Sequence, residues 1–124
     1  MKKSVNVVIA DRQGRILVLR RNLNDDIYPR FWDLPGGGVK NNETLHKAAK
    51  REVAEESGLE IKLEKDYFYT FVYPDGEINY IFRANLISGN VALSQEHIEF
   101  KWVTKADWKN LKYTPDVWQQ LKDF

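Results

Sequence analysis

The chain has 124 residues, about one ordinary domain. With 43% hydrophobic and 13% aromatic residues it can build a core, which excludes a disordered chain. It has no Cys, only two His and a net charge of +1, which excludes disulfide frameworks, Cys-bearing zinc sites, thiol nucleophiles and a strongly basic nucleic-acid binder.

In chain order, Val5 to Ala10 reads as a strand buried on both faces. Asp11-Arg12-Gln13-Gly14 is a polar turn, and Ile16 to Arg20 a second strand, so the chain opens with a hairpin. Asn22 to Arg30 is a loop, Phe31 to Leu34 a short extended piece, and Gly36-Gly37-Gly38 bare backbone. Thr44 to Ser57 is a helix, with Leu45, Ala48, Ala49, Val53 and Leu59 on its apolar stripe. Thr44 or Asn42 caps it and Gly58 stops it. Lys65 to Tyr73 and Ile78 to Ile87 read as strands around Pro74-Asp75-Gly76-Glu77, and Ser88-Gly89-Asn90 as a further turn. Glu99 to Val103 is a strand and Ala106 to Leu111 one or two helical turns. Pro115 opens a last helix with Val117, Trp118, Leu121 and Phe124 facing in. The element order predicts an α/β fold, a mixed sheet with helices packed on it. No apolar run reaches the ~18–20 residues of a membrane span, and no cleavage site follows the N-terminus, so a cytoplasmic protein without a membrane partner is expected.

Three acids carry the chemistry. Glu52, Glu55 and Glu56 are spaced i, i+3, i+4 at the C-terminal end of the helix. Like charges there oppose each other and the helix dipole. A bound cation offsets both, and an all-oxygen ligand set suits Mg²⁺ or Mn²⁺. The plainer reading of such a cluster is a solvated face paired with Lys47, Lys50 and Arg51. The surrounding spacing decides against it. Gly37, Glu43, Arg51, Glu52, Val53, Glu55, Glu56, Gly58 and Leu59 fit G-x5-E-x7-R-E-U-x-E-E-x-G-U, where U is bulky aliphatic. From average residue usage a chance match is on the order of 10⁻⁹ per starting position.

This segment resembles the Nudix box at every specified position. Trp32 to Gly38 is similar to the family's lead-in, Ile16 to Arg21 to the strand before its substrate loop, and Glu96 to Val103 to its late acidic loop and Trp-bearing strand. Asn41-Asn42 departs from it where a Gly commonly precedes the Glu, although Asn tolerates left-handed backbone. The resemblance implies one Nudix domain over residues 1–124, folded as an α/β/α sandwich, and a metal-dependent hydrolase of a nucleoside diphosphate linked to another group. It assigns Glu55 and Glu56 as main metal ligands, Glu52 as a ligand or orienter of the attacking water, and the Gly37 carbonyl as a backbone ligand.

Glu43 and Arg51 match a structural ion pair joining loop to helix, with an Arg51–Glu55 helix pair as the equal alternative. A general base comes from Glu96, His97 or Glu99, Glu96 first. Glu99 equally suits a solvent-facing strand position, and His97 an exposed loop. Arg21, more than Arg20, matches a phosphate-contacting Arg of the MutT-like branch, and alternation sends one of the two to solvent. Asp116 matches a purine-reading acid or a plain helix-start acid. Tyr73, Tyr80 and Phe31 suit either base stacking or the core. The expected substrate is a nucleoside triphosphate cleaved to monophosphate and pyrophosphate. Nucleoside diphosphate sugars, ADP-ribose, dinucleoside polyphosphates, a pterin triphosphate and a non-catalytic nucleotide sensor are the alternatives. A nucleic-acid partner is not expected, and the Trp-rich C-terminal third suits a homodimer contact or core packing. Residues 1–30 hold seven Lys/Arg against three Asp, and residues 52–60 four Glu with no Lys or Arg, so a metal-bound polyphosphate could bridge the two regions.

Overall fold

Two apolar layers on either side of one sheet account for the architecture, and strand alternation creates both. The computed structural model describes residues 2–121, apart from the Gln120 side chain. The strands are β1 (Lys3–Ala10), β2 (Ile16–Arg21), β3 (Trp32–Asp33), β4 (Gly36–Gly38), β5 (Glu60–Leu63), β6 (Tyr69–Val72), β7 (Ile78–Ser88) and β8 (His97–Val103). The helices are α1 (Leu45–Ser57) and α2 (Pro115–Leu121), with a 3-10 turn at Trp108–Asn110. Val5, Val7 and Ile9 of β1, Leu17 and Leu19 of β2 and Phe82 and Ala84 of β7 pack with Ala48, Ala49 and Val53 of α1. The alternate residues Val8, Ile16, Val18 and Ile81 pack with Trp108, Val117 and Leu121 on the other face. Period-2 side-chain direction thus gives helix, sheet, helix: the α/β/α sandwich over a mixed sheet.

The sheet order is β3-β2-β1-β7-β5, with β4 on β1, β6 on β7 and β8 on β2. β1 runs parallel to β7 along its whole length, Lys3↔Ile78 to Ala10↔Asn85. The opening hairpin joins at only one pair, Ala10↔Ile16, beyond which the strands separate. β2 continues with β8 and β3, while β1 takes β7 and β4. That separation leaves Ser4–Asn6 of β1 to pair with the Gly36–Gly38 backbone in the place of β2.

Local chemistry sets the elements. The Thr44 hydroxyl accepts from the Lys47 N–H and caps α1, and Gly58 ends it in the left-handed region at φ 70°. Asn42 also takes a left-handed φ, 64°, which turns the chain into Glu43. Three expectations need correction. Glu60–Leu63 forms a strand on β7, whereas the strand expected from Lys65 begins only at Tyr69. β8 starts at His97, two residues before Glu99, and this buries His97. Trp118 is 41% exposed, although its ring lies 5.3 Å from that of Trp108. Phe124, expected to face in, lies outside the described residues.

Candidate active site

β4 is the platform. It pairs antiparallel with β1 through Ser4↔Gly38, Val5↔Gly37 and Asn6↔Gly36, and α1 lies against it. The approach is too close for side chains. A Cβ on Gly36 would stand 2.1 Å from the Val5 carbonyl oxygen, and one on Gly37 2.6 Å from Glu52 Cδ. The Gly36 N–H donates to Glu56 Oε1 at 2.8 Å. Bare backbone therefore lets two of the motif's carboxylates rest on a strand.

Arg51 fixes the loop before the helix. Its Nε and Nη2 donate to the two oxygens of Glu43 at 2.8 and 3.0 Å, its Nη1 to Glu52 at 2.8 Å, and its Nη2 to the Gly38 carbonyl at 2.9 Å. Nη1 also reaches Glu55 at 3.3 Å. Both expected pairings form, and the Glu43 pair is the shorter and two-pronged one. Hydrogen bonds from Arg51 and the Lys40 N–H hold the Glu43 carboxyl down at about 2.

The acids differ in setting. Glu55 is exposed, Glu52 partly buried and Glu56 buried. Burial pushes Glu56 up to about 10, with the Glu96 carboxyl beside it adding to the shift and the Gly36 N–H opposing it. Burial likewise raises Glu52, Arg51 opposing and Glu55 and Glu96 adding. Glu96, at the foot of β8, thus joins the two inner acids. Hard oxygen donors this close, on a helix end and a glycine strand, are a donor set that fits a divalent cation.

His97 lies behind Glu56. Its Nε2 is 2.8 Å from Asp33 Oδ1, and its Nδ1 is 4.0 Å from Glu56 Oε2. Arg21 takes the other Asp33 oxygen at 3.1 Å, Asp25 at 2.8 Å and the Ile27 carbonyl at 3.1 Å, tying the loop after β2 to β3. Burial raises the Asp33 carboxyl against the pull of His97 and Arg21. Sequence reasoning gave no role to Asp33, although it lies within the Trp32–Gly38 lead-in. An acid buried between apolar residues was the available signal.

Two cavities meet here. One of about 230 Å³ is lined by Arg21, Asp25, Asp33, Gly36, Glu56, Glu96 and His97. The other, about 360 Å³, shares Arg21, Asp33 and Gly36 and runs past Gly37, Asn6, Asn79 and Tyr73 to Asp116. Asp116 accepts from the Tyr73 hydroxyl at 2.8 Å. Arg20 is not brought in. It faces a separate groove, bound to Glu99 at 3.2 Å and to the Arg30 carbonyl at 3.1 Å. Glu99 faces the same groove. Phe31 lines that groove too, and Tyr80 packs against the core beside Tyr67. No helix among the described residues is long and apolar enough to cross a membrane.

The family model for the NUDIX domain matches residues 1–124. The chain is 26% identical over 122 residues to the nucleoside triphosphatase NudI of Klebsiella pneumoniae, covering 88% of this chain and 86% of that protein. The structure superposes on the MutT protein of Methanosarcina mazei Go1 with a TM-score of 0.80 at 28% identity, covering 98% of this chain and 90% of that one. An Ap4A hydrolase of C. elegans shares the fold, with a TM-score of 0.79 at 24% identity over 98% of this chain and 94% of its own.

Proposed function

The chain belongs to the Nudix family of hydrolases, and from that premise we propose that it is a Mg²⁺-dependent pyrophosphohydrolase of nucleoside triphosphates, releasing monophosphate and pyrophosphate. The observation that carries this reading is the meeting of Glu52, Glu56 and Glu96 against the Gly36–Gly37 backbone, where a cavity lined by Glu56 and Glu96 shares Arg21, Asp33 and Gly36 with a second one that runs to Asp116.

Glu52, Glu55, Glu56 and the Gly37 carbonyl would hold the ion, Mg²⁺ or in its place Mn²⁺. When bound, the ion offsets phosphate charge and lowers the pKa of water, so that water attacks phosphorus at neutral pH. Glu96, exposed at the rim beside Glu52 and Glu56, accepts the proton of that water. Arg21, already locked by two carboxylates, offers its remaining N–H groups to phosphate oxygens in the shared part of the two cavities. Tyr73 and Asp116 line the far end, where the nucleoside lies. The name of the K. pneumoniae relative supports a triphosphate over the other linked diphosphates.

The test is a panel of nucleoside triphosphates, diphosphate sugars, ADP-ribose and dinucleoside polyphosphates with Mg²⁺, phosphate being counted with and without added pyrophosphatase for the triphosphates, and after added alkaline phosphatase, which acts on the phosphomonoester products, for the other compounds. Phosphate that appears from triphosphates only after pyrophosphatase is the expected result. Turnover confined to another class replaces the substrate, and no turnover on any compound returns the protein to a nucleotide sensor.

A further inference from the structure

The imidazole of His97 has one ring nitrogen engaged and one left over. Nε2 meets Asp33 at 2.8 Å, and Arg21 on the other oxygen keeps Asp33 an acceptor, which assigns the ring proton to Nε2. Nδ1 then carries a lone pair. It is buried without a hydrogen-bond partner, on a residue only 7% exposed, and faces Glu56 Oε2 at 4.0 Å. Donor atoms of Glu56, Glu96 and His97 lie within 4.8 Å of one another. A buried nitrogen lone pair without a donor is costly, and a solvated ring would need no such arrangement.

We propose that His97, through Nδ1, is a nitrogen ligand to a divalent first-row transition ion held together with Glu56 and Glu96. The inference rests on the cation-holding reading above and extends it, because Mg²⁺ has little use for imidazole, whereas affinity for a nitrogen-bearing site rises from Mn²⁺ towards Co²⁺ and Ni²⁺. The Asp33–His97 contact is the carboxylate–histidine pairing that fixes the tautomer and orientation of a metal-binding ring. Two donors about 2.1–2.2 Å from one ion lie at most ~4.4 Å apart. The Glu56–His97 pair meets that already, and a small side-chain shift brings in Glu96. One Glu96 oxygen serves the ion and leaves the other to accept from water.

The chain's second histidine, His46, bonds to the Lys65 carbonyl and packs edge-on against Phe82. Pulsed electron spin resonance on protein loaded with Mn²⁺ alone can therefore find the ligand. The expected result is ¹⁴N modulation that changes when histidine is ¹⁵N-labelled, survives His46→Gln and vanishes in His97→Gln. The labelling arm needs no variant to fold. In parallel, Asp33→Asn is expected to weaken Co²⁺ binding about ten- to hundredfold, with Mg²⁺ binding changed less than about threefold. Bound Mn²⁺ without nitrogen modulation, or modulation that persists in His97→Gln, overturns the inference and leaves the carboxylate site standing. Mn²⁺ that does not bind at all overturns both.

Discussion

Arg51 grips Glu43 with two prongs, Nε to Oε2 at 2.8 Å and Nη2 to Oε1 at 3.0 Å, so the loop after β4 is fastened to the middle of α1. The same guanidinium reaches Glu52 at 2.8 Å. Arg51 therefore orients a proposed ligand from behind. Arg51→Lys, which loses the fork, is expected to weaken metal binding by about ten- to hundredfold, measured by Mg²⁺ titration. The pair also sets an acid limit. Because Glu43 is depressed from 4.5 to about 2, its contribution to stability is present above pH 4.5 and is lost as pH falls towards 2. The melting-temperature difference between wild type and Glu43→Gln should be flat above about pH 5 and shrink below it.

Glu56 works in the opposite sense. With its carboxyl pushed from 4.5 up to about 10 in the metal-free fold, its contribution is fully present below pH 4.5 and is lost as pH rises towards 10. The melting temperature without metal should fall between pH 6 and pH 9, and Mg²⁺ should restore more of it at pH 9 than at pH 6. Glu56→Gln, which mimics the protonated acid at the Gly36 N–H, should flatten the metal-free profile and remove the Mg²⁺ response. A wild-type profile in which the Mg²⁺ increment shrinks with pH contradicts this.

The two platform glycines should separate fold from site. On Gly36 a methyl meets the Val5 backbone, which cannot move alone, so Gly36→Ala should cost about 1–3 kcal/mol in urea denaturation. On Gly37 it meets only the carboxylate end of Glu52. Gly37→Ala should keep most of the stability while weakening Mg²⁺ binding. Equal stability losses in the two variants would count against this division.

Adjacent arginines should behave unlike one another. Arg21 lines both cavities and holds the loop through Asp25 and Ile27, so Arg21→Ala should lower kcat/KM about tenfold or more, some 1.4 kcal/mol of barrier. Arg20 lies in the other groove against Glu99, and Arg20→Ala should stay within about twofold. Comparable losses would place phosphate on the Arg20 side.

Local signals were the legible ones. The Thr44 cap, the Gly58 stop and the left-handed Asn42 each depend on a residue and its neighbours, and α1 follows within one residue at its start. The acids of the motif could be placed on one helix end for the same reason. Long-range pairing left little trace. Nothing in Val5 to Arg20 says that β1 and β2 part after one pair, since their partners, β7 and β8, lie some seventy residues or more away. Glu60–Leu63 alternates charge with Ile61 and Leu63 over only four residues, too few for a period to stand out beside the helix. His97 looked like loop because Glu96 and Glu99 flank it. Its burial comes from β2, where it pairs opposite Arg21, and from Asp33. The Asp33–His97 contact joins residues 64 apart, so no motif spacing discloses it.

The proposed hydrolysis depends on the acids at the end of α1 holding the ion. Its most direct test is pyrophosphate release from a nucleoside triphosphate by wild type and Glu56→Gln across a Mg²⁺ titration. The expected result is saturable, Mg²⁺-dependent release by wild type and a rate lower by about 10²–10³ in the folded variant at every Mg²⁺ concentration. Full activity in Glu56→Gln, or release by wild type that persists in chelator, would contradict it.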